Sequence, residues 1–160
     1  MSRRKKIAVL VILILICLSV GWVGSLFTAP AIEGWYAGLN KPWFQPPSWI
    51  FGPVWTLLYI LMAVAAWLIW KEGGVKKNTA PLIFFGLQLF FNACWSPLFF
   101  GLKTPGYAFA DITALWMSII VTSVLFMRKS RIAGLLMLPY LLWVSFAAVL
   151  NFAIWRMNAP

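Results

Sequence analysis

The chain has 160 residues, of which 63% are hydrophobic and only 10% are charged, and its net charge is +10. A soluble domain usually has about 25% charged residues, and a chain this short cannot bury so much apolar surface within itself. The composition therefore excludes an ordinary soluble domain and indicates a protein whose apolar surface faces a lipid bilayer. The basic residues cluster between apolar runs, which does not indicate a nucleic-acid partner.

Five apolar runs are long enough to cross a hydrocarbon core of about 30 Å as helices, and lone strands would leave backbone groups unpaired in lipid. The first run is longer than the apolar part of a cleaved signal peptide, which is the alternative for this segment. Residues 28–48 contain several turn residues and are expected to form a loop that acts as a lid. We predict one transmembrane domain over residues 1–160, with helices at about 7–27, 49–70, 80–100, 107–127 and 132–155.

Lysine and arginine are divided unequally between the two sides of this predicted bundle. Cytoplasmic loops are usually the basic ones, so the N-terminus is predicted to be inside and the C-terminus outside. We expect a multi-pass protein of the cell membrane, most simply the inner membrane of a bacterium. The predicted inner side has Arg3, Arg4, Lys5, Lys6, Lys71, Lys76, Lys77, Arg128, Lys129 and Arg131, and the outer side has Lys41, Lys103 and Arg156.

Eleven tryptophans are an unusual number for a chain of this length. Indoles favour the interface between membrane and water, which explains the tryptophans near the ends of predicted helices. This preference does not explain Trp55, Trp95, Trp116 and Trp143, which lie inside predicted helices. Three of these four are predicted to lie in the outer half of the membrane.

Side-chain amides occur at similar depths in the third predicted helix. Gln88 and Asn92 are four residues apart, so they share one helical face, and Ser96 continues that face. An amide without a partner in lipid costs free energy, so these residues should face other helices or a cavity. The indoles and amides together predict an aromatic pocket for a flat, hydrophobic ligand. The alternative is that these side chains only hold the helices together.

Conventional catalytic groups and metal-binding motifs are missing from the sequence. It has no histidine, no close pair of acids on one helix and no phosphate loop, and Cys17 and Cys94 lack metal-ligand spacing. Asp111 is the only acid within a predicted helix, at a place where a helix N-terminus favours a carboxylate. We predict no metal site and no required cofactor. A small multidrug exporter is an alternative, although such a pump would need a deep carboxylate.

Four stretches carry recognisable motifs along nearly the whole chain. They are residues 34–42 (GWYAGLNKP), 46–59 (PPSWIFGPVWTLLY), 92–100 (NACWSPLFF) and 139–151 (PYLLWVSFAAVLN). With these motifs the chain resembles the TspO/MBR family of tryptophan-rich sensory proteins, which are related to the mitochondrial translocator protein, or peripheral benzodiazepine receptor.

The resemblance implies a five-helix fold, usually dimeric, and a receptor or transporter that binds porphyrins such as protoporphyrin IX and haem-type tetrapyrroles. Animal members also bind cholesterol and benzodiazepine-type drugs. Trp55 and Trp143 match the two tryptophans implicated in light-dependent porphyrin breakdown by some bacterial members, so an enzyme that degrades porphyrin with light and oxygen is an alternative function. The motifs and the depth argument together predict a ligand-binding set of Tyr36, Pro47, Trp55, Gln88, Asn92, Trp95, Trp143 and Ala147.

The sequence departs from the family pattern at two places. Phe152 stands between Leu150 and Arg156, where the sterol-recognition motif of the family has a tyrosine. Gly86 is followed four residues later by the bulky Phe90, which alters the small-residue face through which some bacterial relatives form dimers. The first departure argues against sterol binding by that motif, and the second leaves the dimer geometry open.

Overall fold

The computed structural model describes residues 2–159, and this part of the chain is helical, with no β-strand. Five of its helices are long and apolar enough to cross a membrane. A 3-10 turn (Ser48–Ile50) precedes the second of them, and a π-helical segment (Pro97–Gly101) continues the third. In chain order the helices are α1 (Arg3–Ile32), α2 (Phe51–Lys71), the short α3 (Gly74–Lys77), α4 (Thr79–Ser96), α5 (Pro105–Lys129) and α6 (Arg131–Asn158).

The prediction of an all-α bundle of five membrane helices is confirmed, but the first loop is shorter than expected. The loop was expected to begin at residue 28, whereas α1 continues to Ile32. Pro30 lies in the last turn of α1, where its missing N–H costs only one helical hydrogen bond. The hydroxyl of Thr28 donates to the carbonyl of Gly24 in the preceding turn (3.0 Å).

The up-and-down order of the helices gives the bundle two different ends. One end carries the loop over residues 33–47 together with the last residues of α6, and we call it the loop end. The other end carries the start of α1, the short α3 and the turn between α5 and α6, and we call it the basic end because ten of the thirteen lysines and arginines lie there. Which end faces the cytoplasm stays a prediction.

The helices α5 and α6 form a tight hairpin at the basic end. Ser130 is the only residue between them, and its hydroxyl accepts from the amide of Ala133 (3.4 Å) at the start of α6. A Cβ on Gly134 would lie 2.8 Å from the Cα of Met127. Glycine at this position is therefore required by the close approach of the two backbones.

The helix α1 lies at the periphery of the bundle and packs against different helices at its two ends. At the basic end the indole Nε1 of Trp67 in α2 donates to the carbonyl of Lys6 (2.8 Å). At the loop end α1 packs on α4 and the π-helical segment, where a Cβ on Gly101 would lie 2.9 Å from the ring of Phe27. Among the described residues, no Cα of α1 lies within 8 Å of the 3-10 turn before α2. The helices α1 and α2 thus separate towards the loop end.

Candidate functional site

A cavity of about 460 Å³ lies in the half of the bundle nearest the loop end. This volume is within the range of roughly 300–1,000 Å³ that is usual for small-molecule sites. Its walls are mostly aromatic and aliphatic, with hydroxyl and amide groups among them. None of the residues that line it is Asp, Glu, Lys or Arg. A ligand in the cavity would therefore have to keep any charged group at the mouth.

Residues from the loop and from all five membrane helices meet at this cavity. Of the predicted ligand-binding residues, Tyr36 comes from the loop, Trp55 from α2, Asn92 and Trp95 from α4, and Ala147 from α6. The predicted convergence of indole and amide groups from separate helices is therefore present for these five. Their role in binding a ligand stays a prediction.

Three further residues of the predicted set, Pro47, Gln88 and Trp143, do not line the cavity. Pro47 ends the loop next to Ser48, which does line it. Gln88 is fully buried one turn deeper in α4 than Asn92. Trp143 is covered by Phe51, whose ring lies 5.7 Å away and itself lines the cavity.

Trp143 packs against two phenylalanine rings, those of Phe51 and Phe146, with ring centroids 5.7 Å away in each case. Within the described part of the chain its buried Nε1 has no hydrogen-bond partner. Trp143 was predicted to face the pocket, but it is not among the residues that line the cavity, whereas its neighbour Phe51, from the start of α2, is.

Trp55 is held at the cavity wall by two neighbouring rings. It stacks on Tyr59, one turn further along α2, with ring centroids 5.6 Å apart and an interplanar angle of 30°. It also meets the edge of Tyr140 of α6 at 6.1 Å. Such aromatic contacts contribute about 0.5–1.5 kcal/mol each beyond area burial. The indole therefore presents a fixed face to a ligand.

A chain of hydrogen bonds leads from the cavity into the centre of the bundle. The hydroxyl of Tyr59 donates to Oδ1 of Asn92 (2.6 Å), and Nδ2 of Asn92 donates to the hydroxyl of Tyr140 (2.9 Å). Tyr140 in turn donates to Oε1 of Gln88 (2.8 Å). Tyr59 and Asn92 line the cavity, whereas Tyr140 and Gln88 are fully buried. The prediction that Gln88 and Asn92 face other helices or a cavity agrees with this arrangement.

A second polar pair fixes Trp95 at the opposite part of the wall. Its indole Nε1 donates to Oδ1 of Asn151 in α6 (2.9 Å), and Nδ2 of Asn151 donates to the carbonyl of Pro105 at the start of α5 (2.8 Å). The indole also stacks on Phe99, with centroids 5.0 Å apart. Asn151 thus joins three helical elements through one amide.

The helix α1 contributes a small-residue face that the sequence analysis did not single out. Gly21, Gly24, Ser25 and Thr28 all line the cavity, and their spacing places them on one side of the helix. A run of small residues at positions i, i+3, i+4 and i+7 of a membrane helix is a signal of close packing that could have found them. The sequence analysis did not assign Tyr59 to the site either, although it lines the cavity.

Hydroxyl groups along this wall use their protons within their own helices. Ser25 donates to the carbonyl of Trp22 (2.6 Å), Thr28 to Gly24 (3.0 Å), and Thr56 of α2 to Gly52 (2.9 Å). Since each hydroxyl has one proton, these groups offer only lone pairs to a ligand. At these three positions the wall accepts hydrogen bonds and does not donate them.

The loop over residues 33–47 packs on the loop end of the bundle and closes the cavity there. Tyr36 meets Phe100 edge to face at 5.4 Å, and the ammonium of Lys41 lies 4.9 Å above the Tyr36 ring. Burial raises the pKa of Tyr36, so its phenol remains a neutral donor. Asn158 at the end of α6 donates to the carbonyl of Asn40 (2.8 Å) and accepts from its amide (2.9 Å).

Asp111 lies outside the cavity, in the second turn of α5. Its Oδ2 atom is buried and has no hydrogen-bond partner among residues 2–159. The same residues contain no cluster of three or more histidine, cysteine, aspartate or glutamate side chains that could hold a metal ion. The polar side chains that line the cavity carry amides, hydroxyls and indole nitrogens.

Comparison with known proteins places the chain in a family. Residues 13–156 match the family model described as the TspO/MBR family. The tryptophan-rich protein TspO of Archaeoglobus fulgidus is 47% identical over 150 residues, which are 94% of this chain and 97% of that protein. The corresponding protein of Chlorobaculum tepidum is 42% identical over 156 residues, which are 97% of this chain and 99% of that protein.

The similarity extends to a human protein. The human translocator protein is 40% identical over 139 residues, which are 86% of this chain and 82% of that protein. With its five apolar helices, the chain is a multi-pass membrane protein, and these relatives support a receptor-like role in the membrane. The motifs predicted this assignment correctly: the chain belongs to the TspO/MBR family.

Proposed function

We propose that the chain is a receptor or transporter that binds protoporphyrin IX, or a related haem-type tetrapyrrole, in the cavity between its helices. The observation that carries this proposal is the wall itself, where Trp55 and Trp95 are held in place by stacking and hydrogen bonds around a space of about 460 Å³. A planar macrocycle gains most from fixed aromatic faces in a water-poor site.

Polar groups at the loop end suit the edge of such a ligand. Tyr36 keeps its proton and can donate to a carboxylate, and the ammonium of Lys41 lies close to the Tyr36 ring. We expect the macrocycle to enter with its carboxylates towards the loop, because no charged side chain lines the deeper wall. Flat drug-like molecules without a charge would fit the same wall, and sterol binding is expected to be weak because Phe152 replaces the tyrosine of the sterol motif.

The alternative function, porphyrin breakdown with light and oxygen, would give Trp55 and Trp143 a chemical role. A ligand in the cavity would touch Trp55 directly, whereas Phe51 separates it from Trp143. Illumination of the complex distinguishes the two functions. Loss of the porphyrin absorbance band with the appearance of a new product indicates catalysis, and quenching without product indicates binding alone.

The test of the binding proposal is a titration of the purified protein in lipid nanodiscs with protoporphyrin IX, followed by absorbance and tryptophan fluorescence. The Trp55→Phe variant is expected to bind about 5- to 30-fold more weakly, a loss of about 1–2 kcal/mol. Trp143→Phe should have a smaller effect because Phe51 covers this residue. The control is Trp49→Phe, at an exposed position outside the cavity. Equal affinities for the parent and the Trp55→Phe variant would show that the cavity is not the site.

We also propose that the protein resides in a bacterial inner membrane with its N-terminus inside, and that it forms homodimers. The charge difference between the two ends supports the orientation. Crosslinking in native membranes, followed by sizing of the product, tests the homodimer. A monomer at all crosslinker concentrations would contradict it.

A further inference from the structure

The chain of hydrogen bonds that begins at Tyr59 has a single direction. Asn92 and Tyr140 each accept one of these hydrogen bonds and donate another, so that the protons of all three bonds point from Tyr59 towards Gln88. The last member, Gln88, turns its Nε2 towards the sulfur of Met62 at 4.0 Å. A thioether sulfur can accept weakly but cannot donate. Met62 therefore favours the orientation in which Oε1 of Gln88 faces Tyr140.

The hydrogen bond at Gln88, the last residue of this series, determines whether Tyr59 donates its proton to Asn92. Because Tyr140 gives its only proton to Gln88, its oxygen must act as the acceptor for Asn92. The amide of Asn92 is thereby held with Nδ2 towards Tyr140 and Oδ1 towards Tyr59. Tyr59 consequently uses its proton on Asn92, and its lone pairs remain for a ligand.

The same side chains could form these hydrogen bonds with donors and acceptors reversed, without a steric clash at the amide of Asn92. If Tyr140 donated to Oδ1 of Asn92, the amide would turn over and its Nδ2 would donate to Tyr59. The phenol proton of Tyr59 would then point into the cavity, and the wall would donate where it now accepts. The two orders differ at Gln88, since only the observed order needs an acceptor there.

We propose that Gln88, which does not touch the cavity, is a positioning residue that makes Tyr59 a hydrogen-bond acceptor at the cavity wall. The site would then prefer flat ligands that donate a hydrogen bond at this point. The nearby hydroxyls of Ser25, Thr28 and Thr56 also offer only lone pairs, so these three positions of the wall have the same character. The ligand preference rests on the function proposed above, whereas the state of Tyr59 can be measured without a ligand.

The first test measures Tyr59 in the ligand-free protein by ultraviolet resonance Raman spectroscopy. The intensity ratio of the tyrosine doublet reports whether a phenol mainly donates or accepts, and subtraction of the Tyr59→Phe spectrum isolates this residue among four tyrosines. The parent and a Gln88→Glu variant should both show a donating Tyr59, because either form of the carboxyl group retains an acceptor oxygen for Tyr140. Gln88→Leu removes the acceptor, and Tyr59 should change to the accepting pattern.

Two further variants make this test decisive. Met62→Leu leaves Gln88 in place but removes the sulfur that orients it, so Tyr59 should give a mixture of the two patterns even if Gln88→Leu does not fold. Thr122→Val removes a buried hydroxyl that bonds within α5, away from the cavity and from these hydrogen bonds, and should leave the Tyr59 signal unchanged. A donating Tyr59 in both Gln88→Leu and Met62→Leu, or in Met62→Leu alone if the other does not fold, overturns the inference.

The second test measures ligand preference with two aromatic probes, 2-naphthol and 2-methoxynaphthalene, which differ in one hydroxyl proton. The parent and Gln88→Glu should prefer the naphthol, and Gln88→Leu should lose roughly 2- to 10-fold of that preference, the worth of one neutral hydrogen bond. An equal preference in all three proteins overturns the claim about specificity. If protoporphyrin IX still binds the parent, the proposed function survives that result. If it does not bind, the Raman measurement still decides the role of Gln88.

Discussion

Gly21 lies directly beneath the ring of Tyr59, and a Cβ at this position would come within 2.5 Å of Cε2 of that ring. The ring cannot move away freely, because Trp55 stacks on it and Asn92 holds its hydroxyl. The absence of a side chain at Gly21 therefore positions the first member of the hydrogen-bond chain. It also allows α1 to approach α2 closely at this depth.

The Gly21→Ala variant is expected to unfold at lower temperature and to bind protoporphyrin IX more weakly. The added methyl group would force the Tyr59 ring from its place, and overpacking of this kind costs about 1–3 kcal/mol. Gly86→Ala is the matched control, since no heavy atom among the described residues lies within 4 Å of a Cβ there. Thermal unfolding in one lipid mixture, followed by the porphyrin titration, checks both. Equal losses in the two variants would contradict the role of Gly21.

Replacement of Asn151 by leucine should destabilise the bundle. The side chain is almost completely buried, and its loss leaves the indole nitrogen of Trp95 and the carbonyl of Pro105 without their partner. We expect a cost of about 1–3 kcal/mol, measured as reduced resistance to denaturant. Thr113→Val is the control, because this exposed hydroxyl bonds only within its own helix. Unchanged resistance for Asn151→Leu would show that the two contacts are not formed.

The loop over residues 33–47 should loosen when Asn158 is replaced by alanine. The substitution removes both hydrogen bonds that join this side chain to the backbone of Asn40. Backbone amides of the loop should then exchange hydrogen faster, which mass spectrometry measures peptide by peptide. Met157→Ala, at a neighbouring exposed position, should leave the exchange rates as in the parent. Similar rates in all three proteins would mean that the loop is held by its aromatic contacts alone.

The orientation of the bundle can be measured with a membrane-impermeant maleimide on intact cells. In a chain with Cys17→Ala and Cys94→Ala, the Trp43→Cys variant places a thiol on the exposed loop, and Lys77→Cys places one at the basic end. The charge distribution predicts labelling of the Trp43→Cys variant alone until the cells are opened. Labelling of only the Lys77→Cys variant in intact cells would reverse the proposed orientation.

The membrane helices were predictable because their apolar length is a local property of the chain, independent of how the helices pack. Asn92 and Trp55 were predictable for a related reason, since an amide or an indole deep in an apolar run needs a neighbour. Depth alone cannot give the rotation of a helix about its axis, and this is why Gln88 and Trp143 were placed at the cavity. Gln88 faces Tyr140 instead, and Phe51 covers Trp143.

The extent of α1 and its small-residue face were not predictable from hydropathy. Pro30 is typical of a loop, but at the last turn of a helix it is tolerated, and the helix ends two residues later. In the sequence, Gly21 and Gly24 do not differ from other residues of an apolar run, and only the structure shows that they pack against Tyr59 and Ser96. Contacts between helices distant in sequence decide both features.

The peripheral position of α1 has a consequence for how the protein is made. In the most apolar 18-residue stretch of α1 only 6% of the residues are buried, whereas in the corresponding stretches of the other four membrane helices 28–39% are buried. Synthesis proceeds from the N-terminus, so α1 is made before α2 and α4, the helices on which it packs. The face with Gly21 and Gly24 therefore has neither of these partners when α1 leaves the ribosome. The helix α1 can complete its packing only after the third membrane span has followed it.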